Sequence, residues 1–176
     1  MQLEVFNSVG RADAINVLRP CLDIQRWVEH IADARPFRSL DSLLHFARET
    51  AEPFTPDEVA AAMAHHPRIG ERPKARTTEA AMSRSEQAGV DPSDDGVVTA
   101  LAEGNREYEA KFGRVFLIRA AGRTAGEILA SLHERLAHTV EEEDIIVAGQ
   151  LREIALLRIA GVINESSAIS EGVPNK

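Results

Sequence analysis

The chain has 176 residues, 44% of them apolar and 27% charged, with a formal net charge of -8 and a sequence pI near 5.3. That length suits one domain with its own core, and the acidic balance argues against nucleic acid as a partner, since phosphate binding needs a cationic face. Its one cysteine, Cys21, excludes an intrachain disulfide or a multi-cysteine metal site and fits a reducing cytoplasm.

The opening MQLEVFNSVGRAD has no basic stretch followed by an apolar one, so a secretory signal is not expected. Ala14, Ile15 and Leu18 begin an apolar face that Pro20 terminates. Asp23 is placed to cap a helix carrying Ile24, Trp27, Val28 and Ile31 at helical spacing. Leu40, Leu43, Leu44 and Ala47 repeat the pattern before Pro53. TPDE at 55–58 is a start signal, with Thr55 as N-cap, Pro56 in the first turn and Glu58 closing a capping box. This helix shows Val59, Ala62 and Met63 on one face and runs into His65 and His66, where Pro67 stops it. The next runs from about Thr78 to Ala88 with Gly89 as its stop. DPSD at 91–94 starts another, with Val98, Leu101, Tyr108 and Phe112 inward and Gly113 as terminator. RVFLIRAAG at 114–122 is rich in strand formers yet has no strand partner, so it is expected as an extended linker. TAGE at 124–127 is a second capping box, followed by Ile128, Leu129, Leu132 and Leu136. The last helix spans about Val140 to Val162 along Val147, Leu151 and Ile154. No apolar run approaches the ~18 residues of a membrane span. The expected organisation is all-α: one compact multi-helix domain over residues 1–163, then a polar tail, 164–176, whose final VPNK is not a peroxisomal address.

Four places carry candidate chemistry. His65 and His66 point about 100° apart on a helix, poor placement for one metal ion. An imidazolium capping a helix C-terminus is the plain alternative. Pro67 fixes the backbone beside His66, however, and a rigid histidine with a pKa near neutrality suits acid–base work. In SRSEQ, Ser83, Glu86 and Gln87 share one helical face. That face is either a solvated stripe or the wall of a polar pocket. The irregular backbone of 118–122 either offers amides to a ligand or pairs them internally. Arg158 interrupts the apolar stripe of the last helix, so it snorkels at an edge, pairs with a carboxylate, or anchors an anionic ligand with its planar fork. Asn105 breaks the Leu101–Tyr108 stripe and reads as a hydrogen-bonded core residue.

AHHPRIGE, SRSEQAGVD, NREYEAKFGRVFLIRAAGRT and QLREIALLRI resemble, in order and spacing, the 2-oxo-4-hydroxy-4-carboxy-5-ureidoimidazoline (OHCU) decarboxylases of urate degradation. The resemblance covers about residues 5 to 163. It implies an all-helical homodimer without cofactor, which converts OHCU to S-allantoin after urate oxidase and hydroxyisourate hydrolase have acted; the composition and the histidine spacing add the expectations of a cytoplasmic protein and of no metal. By resemblance His66 is the catalytic histidine, with Pro67 touching substrate beside it. Glu86 is its catalytic partner on a substrate-binding helix segment of Ser83, Arg84, Ser85, Glu86 and Gln87. The binding loop corresponds to Ile118, Arg119, Ala120, Ala121 and Gly122, and Arg158 is the family's C-terminal arginine. Many members carry Phe-Pro where this chain has Arg114-Val115, and His65 matches no catalytic position. A metal-dependent hydrolase and a non-catalytic helical binding module stand as the readings from other classes.

Overall fold

The computed structural model describes residues 1–64, 66–70, 77–88 and 95–165, with Asp95 described in its backbone alone. Among these residues nine helices form: α1 (Leu3–Ser8), α2 (Arg11–Leu18), α3 (Gln25–Asp33), α4 (Leu40–Glu49), α5 (Pro56–Met63), α6 (Thr78–Glu86), α7 (Asp95–Phe112), α8 (Ala125–Arg135) and α9 (Val140–Val162). The strand pairing among them is a single bridge between Gln2 and Asn164. The all-α expectation holds.

The helix starts follow local chemistry. Thr55, Thr124 and Thr139 each accept the N3 amide while Glu58, Glu127 and Glu142 reach back to the cap amide, closing three capping boxes. Ser39 and Ser42 close a fourth at α4, and Thr77 caps α6. Asp23 does not cap α3. The cap position is Ile24, with no side-chain acceptor, and Asp23 turns back to pair with Arg19 at 2.6 Å. A four-residue ion pair within reach competes with the cap. Val98, expected inward, is exposed, whereas Leu101 and Tyr108 on the same helix are buried. Two points differ at the ends of elements. Helix α1 has too few apolar residues to show a period, and α5 ends at Met63, so His66 sits one turn past the helix rather than on it. The expected stop at Gly89, the DPSD start and residues 166–176 of the tail lie outside the described residues.

Two apolar clusters result. The larger joins α1–α5 to α9 through Phe6, Trp27, Leu43, Val59, Met63 and Ile154. Trp27 also donates to the Ala47 carbonyl at 2.9 Å, and Arg26 holds Glu58 with two bonds of 2.9 Å, tying α3 to α4 and α5. The smaller cluster lies between α7 and α8 and contains Ile69, Leu101, Tyr108, Phe116, Ile118 and Leu132. Gly104 lets α7 and α8 close: a Cβ there would meet Leu132 Cδ2 at 2.5 Å.

The connector between α7 and α8 stitches the clusters together. Gly113, at φ +67°, ends α7 in the left-handed region that glycine favours. Beyond it Val115 and Leu117 pack on the larger cluster, while Phe116, Ile118 and Ala120 pack on the smaller. That alternation is the period of an extended chain, as expected for a linker with no partner strand.

Candidate active site

The candidate side chains meet where the two clusters adjoin. The turn after α5 is pinned on every side. His66 N–H donates to Met63 O at 3.1 Å, Ile69 O accepts from Asn105 Nδ2 at 3.1 Å, and Gly70 N–H donates to Gln87 Oε1 at 3.0 Å. Arg68 grips Glu109 of α7 at 2.5 and 2.8 Å. Asn105 is thus the hydrogen-bonded core residue expected, and Gln87 acts partly as a brace for the histidine turn.

The His66 ring is defined by its contacts. Nδ1 lies 3.0 Å from Ala62 O, and a carbonyl only accepts, so Nδ1 carries the proton. In the neutral imidazole Nε2 is then an acceptor, and it is buried with no partner among the described residues. Burial holds the His66 pKa below the usual histidine value; the Ala62 carbonyl opposes this and the nearby Arg158 charge adds to it. Around pH 7 the ring is a neutral base with one unused lone pair.

His66 borders a cavity of about 30 Å³, room for a water or two, walled with it by Pro67, Ile69, Ser83, Glu86, Gln87, Phe116, Leu117, Ile118, Ala120 and Ile154. A broader, largely apolar groove of about 1070 Å³ between α5 and α9 also includes His66, and carries Arg114 and Arg152 among its walls.

Arg158 is 4% exposed, which rules out the edge position. Its Nε and Nη2 reach the two oxygens of Glu86 at 2.6 and 3.0 Å; Nη2 also donates to Ser83 Oγ at 3.0 Å and Nη1 to Pro20 O at 3.4 Å. The guanidinium fork is therefore engaged by protein groups, and it aims the Glu86 carboxylate. A bidentate pair of this kind fixes orientation as well as charge. Cys21 lies nearby, its thiol pushed up to about 12 by burial, and is inert at neutral pH.

Of the residues singled out in the sequence, His66, Pro67, Ser83, Glu86, Gln87, Ile118 and Ala120 wall the cavity. Arg158 stands behind Glu86 and Ser83. Arg84 and Ser85 point outward on α6, as does the Arg119 side chain, while Ala121 and Gly122 lie past the cavity wall. SRSEQ is thus split by the helical period into an inward face and a solvated one. His65 lies outside the described residues. Sequence reading missed the apolar walls Ile69, Phe116, Leu117 and Ile154, whose residue types are those of any core. It also missed Gln150 of α9, whose Oε1 accepts the Arg119 N–H at 2.8 Å. Among the described residues no group of three or more His, Cys, Asp or Glu side chains is placed to hold a metal ion.

The sequence model of the OHCU decarboxylase family matches residues 7–160. The chain belongs to the OHCU decarboxylase family. It is 25% identical to the 2-oxo-4-hydroxy-4-carboxy-5-ureidoimidazoline decarboxylase of Haloferax volcanii, over 91% of this chain and 95% of that one. It is likewise 25% identical, over 94% of its length, to the uric acid degradation bifunctional protein of Bacillus sp. (strain TB-90). The chain spans about a third of that bifunctional relative. The crystal structure of an OHCU decarboxylase in the presence of (S)-allantoin superposes with a TM-score of 0.66 at 26% identity, covering 81% of this chain and 93% of that one. The all-helical frame around His66 is thus the family's frame.

Proposed function

We propose that the chain decarboxylates OHCU to S-allantoin in urate degradation, with His66 and Glu86 as its catalytic pair and protonation directed to one face of the product. The observation that carries this reading is the His66 Nε2 lone pair, buried without a partner among the described residues and near a carboxylate that Arg158 holds in place, in a member of the OHCU decarboxylase family.

The substrate supplies its own electron sink. Its carboxylated carbon bears a hydroxyl and adjoins a ring C=N bond. When the bond to the carboxylate breaks, CO2 leaves, the electron pair forms a carbon–carbon double bond, and the C=N pair moves onto nitrogen, which takes a proton. The resulting enol loses its hydroxyl proton and gains one at the ureido-bearing carbon, creating the stereocentre of allantoin. No cofactor is required for that flow, in contrast to decarboxylations that borrow a sink. His66 is in the protonation state to accept the hydroxyl proton, and as the imidazolium it can return one to carbon. Glu86 accepts hydrogen bonds from ring or ureido N–H groups. Substrate contacts on Pro67, Ser83, Glu86, Gln87, Ile118 and Ala120 fit a ring placed against the cavity wall, with Arg158 acting through Glu86 and Ser83. The cavity has to widen to take an imidazoline ring, and the adjoining groove offers the room. We further propose a homodimer, in keeping with the family resemblance, and a cytoplasmic location, in keeping with the single cysteine; light scattering on the purified chain measures its mass.

The test is circular dichroism of urate oxidation by urate oxidase and hydroxyisourate hydrolase, run with and without this protein and again after EDTA dialysis. Optically active allantoin is expected to form faster with the protein, and equally so after dialysis. An unchanged time course would refute the activity, and loss to EDTA restored by zinc would refute the cofactor-free mechanism.

A further inference from the structure

The connector 115–120 gives Phe116, Leu117, Ile118 and Ala120 to the cavity wall, and two side chains from outside the site hold its backbone. Arg135 Nη1 of α8 donates to Leu117 O at 2.7 Å, and Gln150 Oε1 of α9 accepts the Arg119 N–H at 2.8 Å. In an extended chain the backbone polar groups of alternate residues point to opposite edges, as their side chains alternate between faces. The alternating packing of Val115 and Leu117 against Phe116, Ile118 and Ala120 shows that this segment obeys that period. Residues 117 and 119 therefore turn their polar groups toward α8 and α9, and residues 118 and 120 turn theirs the other way. Among the described residues the Ile118 and Ala120 N–H groups have no protein acceptor, and both residues wall the cavity beside His66.

We propose that Gln150 is a positioning residue for the reaction: by taking the Arg119 amide it sets the register that leaves the Ile118 and Ala120 amides facing the substrate. A slip of one residue would exchange the two edges and turn the wrong amides to the cavity. Arg135 supports the same register from deep in the smaller cluster, where it is also paired with Glu143. Gln150 is the better handle because it is half-buried and carries no charge that must be balanced. Two N–H donors aimed at one wall suit the carbonyl or carboxylate oxygens of a small anionic imidazoline. The inference rests on the OHCU reading of this site.

Gln150→Leu removes the acceptor at similar volume, and Gln150→Glu restores an acceptor oxygen at the same reach. KM and kcat on freshly generated OHCU are measured for the wild type and both variants, with thermal unfolding as control. Gln150→Leu is expected to raise KM about five- to tenfold with a smaller change in kcat, at a melting temperature within about 4 °C of wild type. Gln150→Glu is expected to recover most of the loss. A wild-type KM in Gln150→Leu overturns the proposal, and so do equal losses in both variants, which would mark a packing role. An inactive wild type would instead sink the OHCU reading, and this inference with it.

Discussion

At the scale of single residues, His66 carries the sharpest expectations. His66→Ala should lower kcat/KM by roughly 10²–10⁴-fold, the range for a general acid–base group, with the helical circular dichroism unchanged. A small loss at unchanged helicity would remove the histidine from the mechanism. The pH profile has a definite sign as well. The base form is required, and burial lowers the His66 pKa below the ordinary value of about 6.5. kcat/KM should therefore stay level through neutrality and fall only at pH below about 6.5, as the ring takes up its proton. Arg158 makes a different prediction, because its fork holds Glu86 and Ser83. Arg158→Lys keeps the charge and loses the parallel donors, so kcat/KM should drop about tenfold and stability by about 1–3 kcal/mol. Repeating the change in a Glu86→Gln background separates direct from relayed action: if Arg158 works through Glu86, the second drop in kcat/KM should be much smaller.

Among the elements, the α7–α8 contact is where the sequence leaves least room. Leu132 is fully buried, and a Cβ on Gly104 would sit 2.5 Å from its Cδ2 and 3.1 Å from its Cγ. Gly104→Ala improves local helix propensity by about 1 kcal/mol, yet the overpacking should outweigh it and destabilise the protein by about 1–3 kcal/mol. The clash has a single partner, so Leu132→Ala should cost less in the Gly104→Ala background than in wild type. Chemical denaturation of the four proteins in that cycle decides; additive costs would show that the helices part without strain.

For the molecule as a whole, the buried charge in the smaller cluster ties three helices together. Glu143 of α9 is fully buried and accepts from Arg135 of α8 and, at 2.5 Å, from Tyr108 of α7, while His138 stands 3.1 Å away. Burial resists ionisation of Glu143, but the Arg135 and Tyr108 hydrogen bonds and the Arg135 charge outweigh it and hold the carboxyl below its usual range. Burial, with the bond to Glu143, pushes the Tyr108 phenol up to about 12. Glu143→Ala would leave Arg135 buried and uncompensated, at a cost of about 3–5 kcal/mol. A lowered carboxylate pKa also fixes the direction of acid sensitivity. The stability it confers is complete above the unfolded value of about 4.3 and is lost as pH falls through the lower folded value. Melting temperatures between about pH 3 and 7 should therefore fall more steeply at the acid end for wild type than for Glu143→Gln. Matching slopes would mean that Glu143 does not report the acid transition.

Interactions within a turn of helix are written in the sequence, and these were the ones it settled. The caps at Thr55 and Thr124 need only the residue three places on. Pro67 and Gly113 likewise act on their immediate neighbours, and the ordered motifs around His66, Glu86 and Arg158 were enough to indicate the family. Where local options compete, as at Asp23 between capping α3 and pairing with Arg19, one strand of text does not choose. Tertiary packing decided which groups Arg158 pairs with. Its partner Glu86 lies 72 positions away, and the exposed edge position was excluded when α6 and α9 met. Packing also turned Ser83 inward and Arg84 outward, and brought Gln150 to the Arg119 amide across 31 positions. Such contacts depend on which helix faces lie opposite one another, and that is set by burying two apolar clusters at once rather than by any single stretch of chain.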